Sequence, residues 1–96
     1  MLLEDIKSAL RIDGEALDGE VQDLIDAARM DLIIAGVSKE EANNHSPDAL
    51  IKRAITLYCK AHFGYDDTRV SERFEESYVT LKQHLTLSDE YKEAVE

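Results

Sequence analysis

A thiol and an imidazole three residues apart, Cys59 and His62, are the pair whose types and spacing most readily suggest chemistry. On a helix that spacing puts both side chains on one side. A closed zinc site takes about four ligands. This chain has no second cysteine, and its remaining histidines, His45 and His84, stand far from the pair. As a nucleophile, Cys59 would need an activating base held by a third group, and a pocket for developing charge. Only the base is near in sequence. The simpler reading is a buried thiol beside a helix-end histidine, whose cation suits the C-terminal dipole.

The acidic stretch from Asp13 to Asp18 raises calcium. An EF-hand loop alternates its acids around a central glycine and closes on a glutamate within about twelve residues. Asp13-Gly14-Glu15 lacks that order and reads as an interhelical turn; Asp66-Asp67 reads as a solvated loop. Carboxylates are abundant, but nothing in the pattern sets two of them in a cleft for acid–base work. No glycine-rich phosphate loop is present. Ser46 stands in His45-Ser46-Pro47-Asp48, and a helix-start serine is where an acyl-carrier protein would attach its prosthetic arm. Such carriers normally show Asp-Ser-Leu, which this stretch matches on neither side, and helix capping accounts for the serine. The sequence therefore points to no catalytic residue, no cofactor-binding residue, no cofactor and no metal ligand.

The elements that would position these groups all carry helical spacing. Leu3, Ile6 and Leu10 share one face of a segment from about Leu2 to Leu10, with Glu4, Asp5 and Lys7 expected outward. After the connector, Asp18 is the expected N-cap of a helix from about Gly19 to Ala35, with a core stripe of Val21, Leu24, Ile25, Ala28 and Leu32. Gly36 is its expected stop. Near that stop Leu32, Ile33, Ile34 and Ala35 are apolar in succession, so this end is either buried on several sides or meets a partner. Residues 37 to 46 read as a loop with room for one helical turn, because Ser38 and Glu41 have capping-box spacing. Ser46 as cap and Pro47 at the first position open a third main helix, with apolar Leu50, Ile51, Ala54, Ile55, Leu57, Tyr58 and Ala61, and Gly64 as its stop. A charged loop, Tyr65 to Arg69, leads to a fourth helix from about Val70 to Leu85, with Val70, Phe74, Tyr78, Leu81 and Leu85 on one face. Leu87, Tyr91 and Val95 allow one more turn, with fraying the competing outcome. No stretch alternates as a strand would. The fold expected is all-α, a compact bundle of four main helices with a short C-terminal helix as an option. One domain over 1–87 and an acidic tail or short helix over 88–96 is the expected organisation.

At 96 residues the chain suits one modest core. Its 44% hydrophobic and 33% charged residues describe a folding chain, not a disordered one. The net charge of -10 repels phosphate and argues against a general nucleic-acid binder. It does not argue against a wall past which DNA must slide without being gripped. A helix-turn-helix ending in the basic third helix fails on the long connector and the overall charge. A lone cysteine, no signal-peptide pattern and no apolar run near the ~20 residues of a membrane span give a cytoplasmic expectation, with no membrane partner. Charge is uneven: residues 1–35 hold nine acids against three bases, whereas residues 47–63 hold Asp48 against Lys52, Arg53 and Lys60.

The order of these features resembles the head–tail connectors of tailed phages, also described as head-completion or DNA-packaging neck proteins. The resemblance runs through Ile6-Lys7-Ser8-Ala9-Leu10-Arg11-Ile12-Asp13, then Asp18-Gly19-Glu20-Val21 with Leu24-Ile25-Asp26-Ala27-Ala28. It continues through Leu50-Ile51-Lys52-Arg53-Ala54-Ile55-Thr56-Leu57-Tyr58 and the closing stretch from Phe74 to Leu85. These are packing patterns whose weight lies in their order. The resemblance implies a structural virion protein, from a phage or prophage and assembled in the bacterial cytoplasm. It would sit in the virion neck as a homo-oligomeric ring of about a dozen copies, and such a ring needs two complementary patches on each copy. Its implied partners are the portal protein and a tail or neck protein, with DNA passing through without sequence-specific contacts. Leu32, Ile33 and Ile34, with Lys52, Arg53 and Lys60, are the candidate subunit or partner interface. A small helical adaptor or regulator that binds another protein through one helix is the alternative reading, and an acyl-carrier-like protein the remote one.

Overall fold

The computed structural model describes residues 2–63 and 68–92. Five helices follow one another: α1 (Leu2–Leu10), α2 (Asp18–Ala35), α3 (Lys39–Ala42), α4 (Ala49–His62) and α5 (Thr68–Leu87). Four are the expected main helices and α3 is the single turn foreseen after Ser38. The described residues contain no strand, and the fold is an all-α bundle.

α4 is the centre of the bundle, packed against α1, α2 and α5. Its Ile51, Ala54 and Ile55 are fully buried, with Leu57 and Cys59 also inside. α2 contributes Val21, Ile25, Ala28 and Leu32, α1 contributes Ile6, and α5 contributes Tyr78 and Leu85. The amphipathic stripes read from spacing are thus the packed faces, where burial stabilises the bundle, except that Leu50, expected on the α4 stripe, is 47% exposed in the first turn.

Helix ends are set by local chemistry, and several differ from expectation. Gly36 ends α2 with φ 119°, donating to Ile33 O at 3.0 Å while Val37 N donates to Leu32 O at 2.9 Å. This is the expected glycine stop, and it turns Val37 into the core. Ser38 caps α3 by accepting from Glu41 N at 3.2 Å. α4, however, is capped by Asp48, whose Oδ1 accepts from Leu50 N at 3.1 Å and Ile51 N at 3.0 Å. Ser46 is not the cap and Pro47 is not the first helical residue; Ser46 N donates to Asn44 Oδ1 at 2.9 Å in the preceding turn. Asp18 does not cap α2 either. Leu17 holds that position without a side-chain bond, because the Asp18 carboxylate is drawn to Lys7 Nζ at 2.6 Å.

Lys7 is itself a correction. Expected outward, it is only 6% exposed, and its ammonium also donates to Gly14 O at 2.5 Å. The lysine therefore pins the α1–α2 connector onto α1. α1 ends at Arg11 with φ 59°, a left-handed conformation in a non-glycine residue, while Ile12 N donates to Lys7 O at 2.9 Å.

α5 starts at Thr68, two residues before the expected Val70, and runs to Leu87, two beyond Leu85. Thr68 and Arg69 thus belong to the helix. The expected stop at Gly64 and the loop residues Tyr65, Asp66 and Asp67 lie outside the described residues, as does Val95. After α5 the chain turns back: Tyr91 is 8% exposed, its carbonyl accepts from Ser38 N at 2.7 Å, and Lys92 bridges Val37 in antiparallel fashion.

Candidate assembly surfaces

Internal ion pairs engage part of the charge, and what they leave marks the outer faces. Between α2 and α5, Asp31 accepts from Tyr78 Oη at 2.5 Å and from Lys82 Nζ at 3.0 Å. Burial favours the neutral acid there, but these two donors together outweigh it and hold the Asp31 carboxyl below its usual range. Burial and the same carboxylate push the Tyr78 phenol well up, so it stays a neutral donor. Between α4 and α5, His62 Nε2 meets Glu75 Oε2 at 3.0 Å, and the His62 ring lies 4.3 Å from that of Tyr58. Lys52 of α4 reaches Asp5 of α1 at 2.8 Å. The acidic first 35 residues and the basic α4 are thus joined within one fold by this pair.

A second junction escaped the sequence reading. Asp48 uses one oxygen to cap α4 and the other, Oδ2, to accept from Tyr91 Oη at 2.6 Å. That hydrogen bond, with some burial, pushes the Tyr91 phenol up to about 12. The one available signal was the Leu87–Tyr91 spacing, which suggested a further turn and gave no hint of Asp48.

The residues that first suggested chemistry differ in surroundings. Cys59 is fully buried, and burial pushes its thiol up to about 12, whereas His62 sits at an exposed helix end paired with Glu75. Among the described residues, no group of three His, Cys, Asp or Glu side chains is placed to hold a metal. Ser46 is exposed in a turn ahead of α4, not on a helix start. An open cleft of ≈ 420 Å³ lies between α1 and α2, lined by Leu2, Leu3, Ile25, Arg29, His45 and Ser46. The Arg29 guanidinium is committed to Ala42 O at 3.0 Å and Asn44 O at 2.8 Å, so it braces the wall of the cleft. No described helix is long and apolar enough to cross a membrane.

The six candidate interface residues divide. Leu32 is fully buried and belongs to the core, and Ile33 is half-buried against it. Ile34 is 77% exposed, and Met30, one turn earlier and outside the consecutive apolar run, is 56% exposed. Lys52 is held by Asp5, Arg53 is exposed on α4, and Lys60 lies 5.2 Å over the Phe74 ring. Leu50 and Leu87 are further exposed apolar side chains.

No curated protein and no solved structure matches the chain at a significant level. A family model described as phage connector protein matches residues 2–92. That range takes in all five helices and the docked segment after α5. The match spans nearly the whole chain, and so the protein belongs to the phage connector family, with the structural role which that membership carries.

Proposed function

We propose that copies of this chain form a ring beneath the portal in the virion neck, joining the head to the tail and leaving DNA a passage. The observation that carries this reading is the family match over residues 2–92, which takes in all five helices. Two physical features support it. A net charge of -10 gives a surface that repels phosphate, as suits a wall past which DNA slides. Met30, Ile34, Leu50 and Leu87 are exposed apolar side chains on a small bundle, and such groups favour contact with other proteins. The ring's neighbours would be the portal on one side and a neck or tail protein on the other, and its assembly would take place in the host cytoplasm.

The deciding measurement is molar mass by light scattering after size exclusion, across a concentration series, with and without portal protein. A discrete species of many subunits in either condition is expected. A monomer throughout, with no binding to the portal, would overturn the ring and return weight to a small helical adaptor.

A further inference from the structure

The acidic residues of α2 fall into two groups. Asp18 and Asp31 are spent inside the subunit, on Lys7 and on Tyr78 with Lys82. Glu20, Asp23 and Asp26 are exposed and form no ion pair with a described residue. Their helical positions put them on the side of α2 opposite its buried stripe, together with Met30 and Ile34. This outer face is acidic toward the N-terminus and apolar toward the C-terminus.

α4 shows the converse. Lys52 is spent on Asp5, and Arg53 forms no ion pair with a described residue. Arg53 and Lys60, seven apart, share one side of the helix, and Leu50, 47% exposed, opens that side one turn before Arg53. The α4 outer face is apolar at its start and basic further on.

We propose that the outer face of α2 on one copy docks antiparallel against the outer face of α4 on the next. This inference rests on the ring reading and names the surfaces that build it. Antiparallel alignment with Met30 over Leu50 sets Asp26 beside Arg53, Glu20 over Lys60 and Asp23 between the two basic residues, with Ile34 one turn beyond Leu50. The spacings agree: Met30 to Glu20 and Leu50 to Lys60 are each ten residues, about 15 Å of helix. The pairing is heterologous, so each copy offers one face and accepts the other, as a closed ring requires. Parallel alignment would put the apolar end of α2 against the basic residues of α4 and leave both unsatisfied. Symmetric pairing of α2 with α2, or of α4 with α4, would set like charges together if parallel, and charged ends against apolar ends if antiparallel.

Cysteine cross-linking tests the geometry. Met30→Cys and Leu50→Cys are both at exposed positions, and Cys59 is fully buried and so withheld from the reagent. With a short bis-maleimide, the double variant should give a ladder extending beyond dimers. Each single variant alone should give no cross-link, and the two mixed should give a mixed dimer that grows no further. Adding Arg53→Glu and Lys60→Glu to the double variant should cut the cross-linked fraction roughly tenfold, and adding Glu20→Lys, Asp23→Lys and Asp26→Lys as well should restore it. Circular dichroism of each variant confirms that it is folded. No ladder from the double variant, or a dimer from either single variant alone, would overturn the face assignment. If the wild type still forms the large species in light scattering, only the assignment falls. If the wild type also stays monomeric with portal present, the ring reading falls with it.

Discussion

Asp48 carries two structural duties on one carboxylate, so its replacement tests whether they are coupled. Oδ1 satisfies two free amides at the start of α4, and Oδ2 receives the Tyr91 hydroxyl. Asp48→Ala removes both and leaves a nearly buried phenol without its acceptor, so the cost should be about 2–3 kcal/mol. Tyr91→Phe removes only the second and should cost about 1–2 kcal/mol. Urea unfolding of both single variants and the double should show a combined loss smaller than the sum, because the two changes share one bond. Asp31 gives a test in pH. Its folded pKa is lowered below the ordinary 3.8, so the carboxylate's contribution is complete above that value and is lost as pH falls through the folded pKa. Asp31→Asn should therefore lower stability at pH 7, and its deficit against the wild type should shrink as pH falls below about 4. Lys7 behaves oppositely. Its hydrogen bond to Asp18 raises its pKa against the opposing effect of burial, so its contribution holds through neutral pH and fades only above the usual lysine range.

Helix ends show which parts of the architecture could be read in advance. α1 and α2 both stop on a left-handed residue, but α2 uses Gly36 and α1 uses Arg11. Arg11→Gly should stabilise the protein by about 0.5–1 kcal/mol in thermal or urea unfolding, because glycine enters that region without a Cβ clash. Gly36→Ala should destabilise it by about 1–2 kcal/mol on backbone strain, since an added Cβ would meet only Thr86 Cγ2 at 4.0 Å. The Gly36 stop, the Ser38–Glu41 cap and the apolar stripes of α2, α4 and α5 were legible because each depends on neighbours within one or two turns. The start of α4 was displaced by two residues because Ser46 and Asp48 are both capping types and Pro47 fits beside either. Lys7 was misplaced because helical periodicity treats every lysine as a solvent-facing residue, and its partners lie seven and eleven residues on, in the connector and α2. Tyr91 and Asp48 are 43 positions apart, beyond any local pattern. The exposure of the six candidate residues was partly legible for the same reason. Spacing is consistent with exposed Ile34 and Arg53, but the burial of Leu32 and the pairing of Lys52 with Asp5 follow from tertiary packing.

At the scale of the whole molecule, copies with a net charge of -10 repel each other, yet the proposed ring must bring them into contact. The two effects differ in range. Repulsion between whole subunits acts over tens of ångströms and is screened within about 8 Å at 0.15 M salt. In the proposed interface, attraction between the α2 and α4 faces would act at hydrogen-bond distance, partly shielded by Met30, Ile34 and Leu50, and salt would weaken it less. Apolar contact among those three side chains is not weakened by moderate salt at all. Association should therefore rise as sodium chloride increases from about 10 mM to about 150 mM, then level off or fall as the face pairs are screened in turn. Light scattering at fixed protein concentration across that series checks this. A steady fall from the lowest salt upward would mean that attraction between opposite charges dominates at every range. That is the behaviour of a dipolar subunit whose basic α4 face outweighs its net charge.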